Sequence, residues 1–157
     1  MSYIYELFEA PHPKNEWITE YNFNEHPSAF IGADWVESVK DRDSVIASFG
    51  AWLEKYQLGL LKDEMFLIDR QAAERHFEGR FAAFQQAVTA LQLLTETQFI
   101  HEHDQVQGMI DQVGRAFTQQ YGDYVLQEGE APMPLEEFLR KAQPGQRYYF
   151  GAVLSYE

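Results

Sequence analysis

The stretch RQAAERHFEGRFAAFQQAVTALQLL at residues 70–94 decides the fold class, because its apolar residues recur with the period of an α-helix. The apolar positions form one stripe along the predicted helix, and polar residues occupy the opposite side. The stripe consists of Ala73, Phe77, Phe81, Phe84, Val88 and Leu91. A helix with a single apolar face must cover that face, so we predict that it packs against another layer of structure.

A second long helix is predicted directly after the first. Thr95 and Gln98 have the spacing of a capping box, in which each side chain accepts a hydrogen bond from the backbone N–H of the other residue. From this cap the pattern predicts a helix that runs to about Tyr121. Its apolar stripe consists of Phe99, His103, Val106, Ile110, Val113 and Phe117. The middle of the chain therefore holds two long consecutive helices.

Stretches rich in aromatic and branched residues predict strands on both sides of these helices. The predicted strands are residues 2–10, 28–36, 64–69, 123–128 and 146–157. Gly32 interrupts the second strand and indicates a bulge or a close backbone approach. Asp69 is placed to cap the helix that follows it, and Pro134 stands at the first turn of a short helix at residues 135–142.

One further helix is predicted between the second and third strands. Asp41 or Asp43 provides its N-cap, it passes through residues 44–58, and Gly59 provides its end. Helical spacing assigns its core-facing positions to Val45, Phe49, Trp52, Leu53 and Tyr56. We therefore expect this helix to face the core.

Strands near both ends of the chain and helices between them predict an α+β fold. We expect a mostly antiparallel sheet of about five strands with three to four helices. The first and last strands are both long and aromatic, so we expect them to pair. No linker rich in Gly, Ser or Pro divides the sequence, which favours one domain over residues 1–157.

Composition and motifs exclude several classes of function. The 157 residues contain no cysteine, which rules out disulfide frameworks, cysteine-based zinc sites and thiol catalysis. Gly-x-Ser-x-Gly, His-Glu-x-x-His and glycine-rich phosphate-binding motifs are all absent. We therefore expect a protein that is not an enzyme and needs no cofactor. No run of about 20 apolar residues and no signal peptide is seen, so we expect a cytoplasmic location.

The acidic residues are concentrated in two segments. The formal net charge is −13; residues 1–39 hold seven acids and one base, and residues 96–137 hold nine acids and one base. Such a field repels nucleic acids and anionic membranes, and it attracts basic proteins. The alternative is that the acidity serves only solubility.

Aromatic residues interleaved with acids predict a binding surface, since Trp and Tyr supply contact area while carboxylates pair with Lys or Arg. The candidate partner-binding residues are Glu16, Trp17, Glu20, Tyr21, Glu25, Asp34, Glu37, Asp104, Asp111, Asp123, Glu128 and Glu130. The leading hypothesis is an acidic, non-enzymatic binding protein that inhibits a basic, nucleic-acid-acting protein such as a nuclease. It would resemble an immunity protein, an antitoxin, or a viral or plasmid antagonist that acts as a nucleic-acid mimic. Alternatively, the aromatic residues belong to the core and the acids are merely solvated.

Two other hypotheses remain open. One is a small metal-dependent enzyme or metal-binding protein that uses the cluster His101, Glu102, His103 and Asp104. On a helix, residues two apart point about 200° away from each other, so this pair of histidines would not chelate a metal unless the helix begins only near Gln105. The helical stripe places His103 at the edge of the core and His101 toward solvent. The other hypothesis is a homo-oligomeric housekeeping subunit whose aromatic strands are buried between copies.

Overall fold

The computed structural model describes residues 1–25, 33–118, 122–143 and 145–157. The described helices are α1 (Val39–Lys55), α2 (Arg70–Gln92), α3 (Glu96–His101), α4 (His103–Phe117) and α5 (Leu135–Lys141). The described strands are β1 (Ser2–Phe8), β2 (Trp35–Val36), β3 (Gly59–Lys62), β4 (Met65–Ile68), β5 (Tyr124–Gln127), β6 (Met133–Pro134) and β7 (Arg147–Tyr156). Two 3₁₀ turns lie at Lys14–Glu16 and Phe23–Glu25. The predicted α+β class is confirmed.

The chain divides into two compact units. The first consists of Met1–Ala73 together with Tyr121–Glu157, and the second consists of Glu74–Gln120. The sheet, α1 and α5 belong to the first unit, whereas α3, α4 and most of α2 belong to the second. The expectation of a single domain stays a prediction. Within the described residues, no helix has both the length and the apolar character needed to cross a membrane.

The sheet has the strand order β3-β4-β7-β1-β5-β6, and β2 also pairs with β7. The predicted pairing of the first and last strands is confirmed, because β1 and β7 are antiparallel neighbours with Ile4 opposite Leu154. Among the described strand pairs only β1 and β5 run parallel, which confirms the mostly antiparallel sheet. Gly32 and most of the strand predicted around it lie outside the described residues.

Seven strands are described where about five were predicted, because β3 and β6 carry weak sequence signals. β3 forms a hairpin with β4 through Asp63 and Glu64, whose φ angles are 51° and 60°. Two left-handed residues are typical of the type I′ hairpin turn, which usually shows itself as Asn-Gly. β6 is a two-residue edge strand that contains Pro134, and edge positions tolerate a residue without an N–H.

Helix α1 begins earlier than predicted. Ser38 is its N-cap and accepts a hydrogen bond from the N–H of Asp41, so neither Asp41 nor Asp43 is the cap. The buried positions are Arg42, Ile46, Phe49 and Leu53. The predicted core face is therefore rotated, with Tyr56 exposed and both Val45 and Trp52 half-buried.

Helix α1 also ends before Gly59. The N–H of Leu58 donates to the carbonyl of Leu53, and the N–H of Gln57 donates to the carbonyl of Glu54. This is a Schellman motif, in which Gln57 adopts the left-handed conformation with φ 56°. Gly59 instead lies in β3, where an added Cβ would come within 2.5 Å of the Leu67 carbonyl oxygen.

The core of the first unit covers both faces of the sheet. On one face, Phe49 of α1 and Phe138 of α5 both contact Phe66 of β4. On the other face, Trp17 and Ile18 pack with residues of β1, β5 and β7. Since both faces are covered, the interior of β7 is buried almost throughout and does not alternate between buried and exposed positions.

The predicted starts of the long helices are confirmed, but the second helix is interrupted. Asp69 accepts a hydrogen bond from the N–H of Ala72, and Thr95 and Gln98 form the capping box. Glu102, with φ −122° and ψ 58°, separates α3 from α4. Neither Pro nor Gly stands at this position, so local sequence preference gives no sign of the break.

Most of the stripe predicted for the second helix is not buried. Val106 is buried and Val113 is half-buried, whereas Phe99, Ile110 and Phe117 are exposed. The prediction that His103 lies at the core edge is also wrong, since its side chain is exposed. A pair of packed helices covers only the sides that face each other, so residues at the edge of that contact keep much of their surface exposed.

Candidate functional site

A cleft of about 270 Å³ opens in the first unit between β1 and α1. Its polar and aromatic lining residues are Tyr3, Tyr5, Ser44, Ser48, Phe49, Trp52 and Asp123. Of the candidate residues from the sequence, only Asp123 lies in this cleft. The described residues that line it include no Lys or Arg.

Sheet geometry brings Asp123 to this position. Tyr3 and Tyr5 lie two apart on β1, so both side chains leave the same face of the sheet. The parallel register places Ile4 opposite Tyr124, which brings Asp123 beside the start of β1. The backbone N–H of Tyr3 donates to Asp123 Oδ1 at 3.0 Å, and the Tyr5 hydroxyl lies 3.5 Å from Oδ2.

Helix α1 supplies the opposite wall of the cleft. The ring of Phe49 lies 4.7 Å from that of Tyr5 and 6.0 Å from that of Trp52, measured between ring centroids. Ser48 adds a hydroxyl, which donates to the carbonyl of Ser44. The half-buried carboxylate of Asp123 therefore stands in a cleft that contains four aromatic rings.

Burial controls the ionisation of the two interacting groups. Desolvation raises the pKa of Asp123, although the hydrogen bonds from Tyr3 and Tyr5 oppose this shift. Desolvation also raises the pKa of Tyr5, and the neighbouring Asp123 carboxylate adds to the effect. Tyr5 thus keeps its proton and remains a donor. A carboxylate among aromatic faces is suited to hold a cation, because ring faces and carboxylate oxygens both attract positive charge.

The first acidic segment presents most of its acids to solvent. Glu16, Glu20 and Glu25 are exposed, and Tyr21 is 88% exposed. Trp17 differs, since its ring is buried, its Nε1 donates to the His12 carbonyl at 3.0 Å, and the Arg42 guanidinium lies 4.3 Å from the ring centroid. Trp17 is therefore a core residue and does not offer its ring to a partner.

Asp34 and Glu37 make contacts within the fold. Glu37 accepts hydrogen bonds from Trp35 Nε1 at 2.9 Å and from the Ser155 hydroxyl. Asp34 is exposed and accepts a hydrogen bond from the backbone N–H of Glu157 at 3.0 Å. Glu37 thus helps to fix β2 beside β7, in addition to any role at the surface.

The remaining candidate acids are distributed over both units. Glu128 and Glu130 are exposed in the turn between β5 and β6 of the first unit. Asp104 and Asp111 are exposed on α4 of the second unit, where Asp111 accepts a hydrogen bond from Gln107 at 2.9 Å. That these acids bind one partner together stays a prediction.

The histidine cluster does not form a metal-binding group in the described part of the chain. His101 ends α3, His103 begins α4, and both are exposed. His103 Nδ1 lies 3.2 Å from Asp104 Oδ1. Among all described residues, no group of three or more His, Asp or Glu side chains is arranged to hold a metal ion.

The sequence alone does not show that the cleft residues meet. The spacing of Tyr3 and Tyr5 indicates a shared face of a strand, and helical spacing assigns Trp52 to one face of a helix. What joins them to Asp123 is the pairing of β1 with β5, about 120 positions apart in the sequence. Comparisons with protein-family models, curated proteins and solved structures found no match.

Proposed function

We propose that this protein is a non-enzymatic binding protein that engages a basic protein, with the Asp123 cleft receiving a Lys or Arg side chain of that partner. The observation that carries the proposal is the half-buried Asp123 carboxylate within an aromatic cleft. In its concrete form the protein is an inhibitor of a nucleic-acid-acting protein. It would act as an immunity protein or antitoxin, or as a viral or plasmid antagonist.

The chemistry of the cleft fits a long cationic side chain. The methylene stem of Lys or Arg packs on aromatic rings, while its charged end interacts with ring faces and a carboxylate. Asp123 is held in place by Tyr3 and Tyr5, and an ionised carboxylate can accept several hydrogen bonds at once. A hydrogen bond to a charged group typically contributes about 1.5–3 kcal/mol.

The charge of the whole chain supports the choice of partner. A net charge of −13 attracts basic proteins at a distance and accelerates their association at low salt. Proteins that act on nucleic acids bind phosphates mainly through Lys and Arg. A surface rich in carboxylates competes for those same side chains, which would block access of the nucleic acid.

Replacement of a single carboxylate tests the cleft. We expect Asp123→Asn to weaken binding of an arginine- and lysine-rich peptide by about tenfold or more, because it removes the charge but keeps an acceptor for the Tyr3 N–H. Isothermal titration calorimetry at low ionic strength measures the affinity. Glu54→Gln is the matched control, since it makes the same change of charge at an exposed position of the same unit that does not line the cleft.

The two variants separate a specific site from general attraction. We expect Glu54→Gln to change the affinity less than twofold, since exposed charges are well solvated and screened. Equal losses in both variants would contradict a role for the cleft. Co-purification from the native host at low ionic strength, with wild type and Asp123→Asn in parallel, would then identify the natural partner.

A further inference from the structure

The second unit exposes a set of large apolar side chains. The exposed helical face consists of Phe81 on α2, Phe99 and Ile100 on α3, and Ile110 and Phe117 on α4. Their exposure ranges from 48% at Ile110 to 67% at Phe99. Single exposed apolar residues are normal at a surface, but several large ones within one small helical unit are typical of an interaction site.

Contacts within the second unit show which side of the helices is already occupied. Arg80 of α2 donates hydrogen bonds to the carbonyls of Phe117 and Thr118, at 3.3 and 2.7 Å. The rings of Phe84 and Phe117 lie 6.1 Å apart. The last turn of α4 is therefore packed against the middle of α2, and Phe117 remains exposed beside this contact.

The exposed helical face is turned away from a groove between α2 and α4. The groove has a volume of about 330 Å³ and is lined by Arg80, Ala83, Ala87, Ala90, Arg115 and Ala116, among others. Phe81 and Ala83 are two positions apart on one helix, which places them about 160° apart around its axis. Ile110 and Gln112 are likewise two positions apart on α4, so they also lie about 160° apart around the helix axis. Gln112 lines the groove.

Acidic residues border the exposed helical face. Residues three or four apart on a helix are neighbours on its surface. Glu78 lies three positions before Phe81, and Glu96 lies three positions before Phe99 and four before Ile100. Two of the three arginines of the second unit, Arg80 and Arg115, line the groove instead. The face therefore combines an apolar centre with an acidic border.

Gly114 leaves room for another helix to approach this face of α4. It lies four positions after Ile110 and three before Phe117, so it shares their face of α4. An added Cβ at this position would meet no atom within 4 Å, so packing inside the chain does not require a glycine. Glycine inside a helix is unfavourable relative to alanine, but it allows another backbone to approach closely.

We infer that the exposed helical face docks a basic amphipathic helix of the partner, with apolar residues toward Phe81 and Ile110 and Lys or Arg residues toward Glu78 and Glu96. This inference rests on the proposed function, because the acidic border is what selects a basic partner. A helix is the natural occupant, since paired helices cover an apolar face by packing a further helix against it. A second copy fits less well, because a two-fold contact would bring identical acidic borders together.

A designed peptide tests the inference on the full chain. The probe is a synthetic 20-residue helix of Lys and Leu with all leucines on one face, and the control peptide has the same composition in scrambled order. We expect the amphipathic peptide to bind at least tenfold more tightly in a fluorescence anisotropy titration. Ile110→Ser and Phe99→Ser should each weaken its binding by roughly tenfold, whereas Val39→Ser, at an exposed position of the first unit, should not.

Three results would overturn the inference. The first is equal affinity for the amphipathic and scrambled peptides, and the second is unchanged affinity in both Ile110→Ser and Phe99→Ser. The third is a wild-type dimer in sedimentation that Ile110→Ser converts to a monomer, which would identify a second copy as the occupant. If Asp123→Asn weakens binding of the arginine- and lysine-rich peptide while Ile110→Ser leaves the amphipathic peptide unaffected, the inference fails and the proposed function stands.

Circular dichroism of each variant checks that the helices are intact. Substitutions of exposed residues usually change stability little, so we expect folded proteins. If neither Ile110→Ser nor Asp123→Asn affects binding, and added salt has no effect either, both the inference and the proposed function are contradicted.

Discussion

Arg42 is a buried cation that links α1 to the sheet. Its Nε donates to the carbonyl of Gly151 at 2.7 Å, and one of its terminal nitrogens donates to the carbonyl of Phe150 at 3.2 Å. The guanidinium also forms a two-point contact with the Glu64 carboxylate and lies over the Trp17 ring. Arginine suits this position because its planar group offers five donors in a fixed arrangement.

Removal of this cation should destabilise the fold. We expect Arg42→Met to lower the free energy of unfolding by about 2–4 kcal/mol, because two buried carbonyls lose their donor. Urea denaturation measures the change. Asp43→Asn serves as the control, since Asp43 also contacts Arg42 but is largely exposed, and its effect should stay below about 0.5 kcal/mol. Similar small effects in both variants would show that Arg42 is not a structural centre.

Glu6 is a buried carboxylate on the face of β1 opposite to that of Tyr5. The N–H groups of Ala152 and Ile18 donate to its Oε2 at 2.8 and 3.3 Å. Desolvation raises the pKa of Glu6 above its ordinary value of 4.5, although both hydrogen bonds oppose the shift. The folded protein therefore takes up this proton at a higher pH than the unfolded chain does.

The raised pKa sets the direction of a pH dependence. As the pH falls through the folded-state pKa, the folded state binds a proton before the unfolded state, so wild type should gain stability relative to Glu6→Gln. The difference between the two proteins should level off below about pH 4.5, where both states are protonated. Urea denaturation across a pH series measures it. A difference that is constant with pH, or that moves in the opposite direction, would contradict a raised pKa.

At the scale of elements, local signals predicted the helices and strands better than their ends. Caps such as Asp69 and the Thr95 capping box depend on residues three apart, so the sequence displays them directly. The end of α1 and the break at Glu102 depend on backbone angles that Gln and Glu seldom signal. The β3–β4 turn is equally hard to recognise from the sequence, because Asp63 and Glu64 adopt left-handed backbone angles although neither is a glycine.

The candidate site was predictable only in part, and the reason is distance along the chain. Acidity is visible in composition, and most of the predicted acids do lie at the surface. The exposure of a tryptophan depends on tertiary packing, and Trp17 is covered by Arg42 from α1. The residues next to Asp123 are brought there by the pairing of β1 with β5, which no local sequence pattern encodes.

Replacement of one residue in the Schellman motif at the end of α1 should stabilise the fold. Gln57 holds φ 56°, a region that costs a residue with a side chain about 1 kcal/mol but costs glycine little. We therefore expect Gln57→Gly to raise the free energy of unfolding by roughly 0.5–1 kcal/mol in urea denaturation. Gln57→Ala keeps the strain and should give no gain. A loss of stability in Gln57→Gly would mean that the Gln side chain contributes more than the backbone strain costs.

At the scale of the whole molecule, the charge of −13 opposes compactness. Salt shortens the Debye length from about 30 Å at 0.01 M to about 10 Å at 0.1 M and so screens the repulsion between carboxylates. We expect NaCl over this range to raise the melting temperature by a few degrees, measured by calorimetry, because 1 kcal/mol corresponds to about 2–4 °C for a chain of this size.

Salt should act in the opposite direction on partner binding. Association with a basic protein should weaken over the same range in which the fold becomes more stable, because both effects arise from the same carboxylates. KCl in place of NaCl controls for effects specific to one ion. A melting temperature that falls with salt would indicate that attractive ion pairs outweigh the repulsion.

The position of β7 in the sheet has a consequence for biosynthesis. β7 pairs with β1, β2 and β4, yet it is synthesised after all of them. On the ribosome, the nascent chain must hold β1 without its antiparallel neighbour until residue 156 has left the exit tunnel. During this interval the edges of β1 and β4 that pair with β7 are unpaired, and unpaired strand edges favour association with other chains.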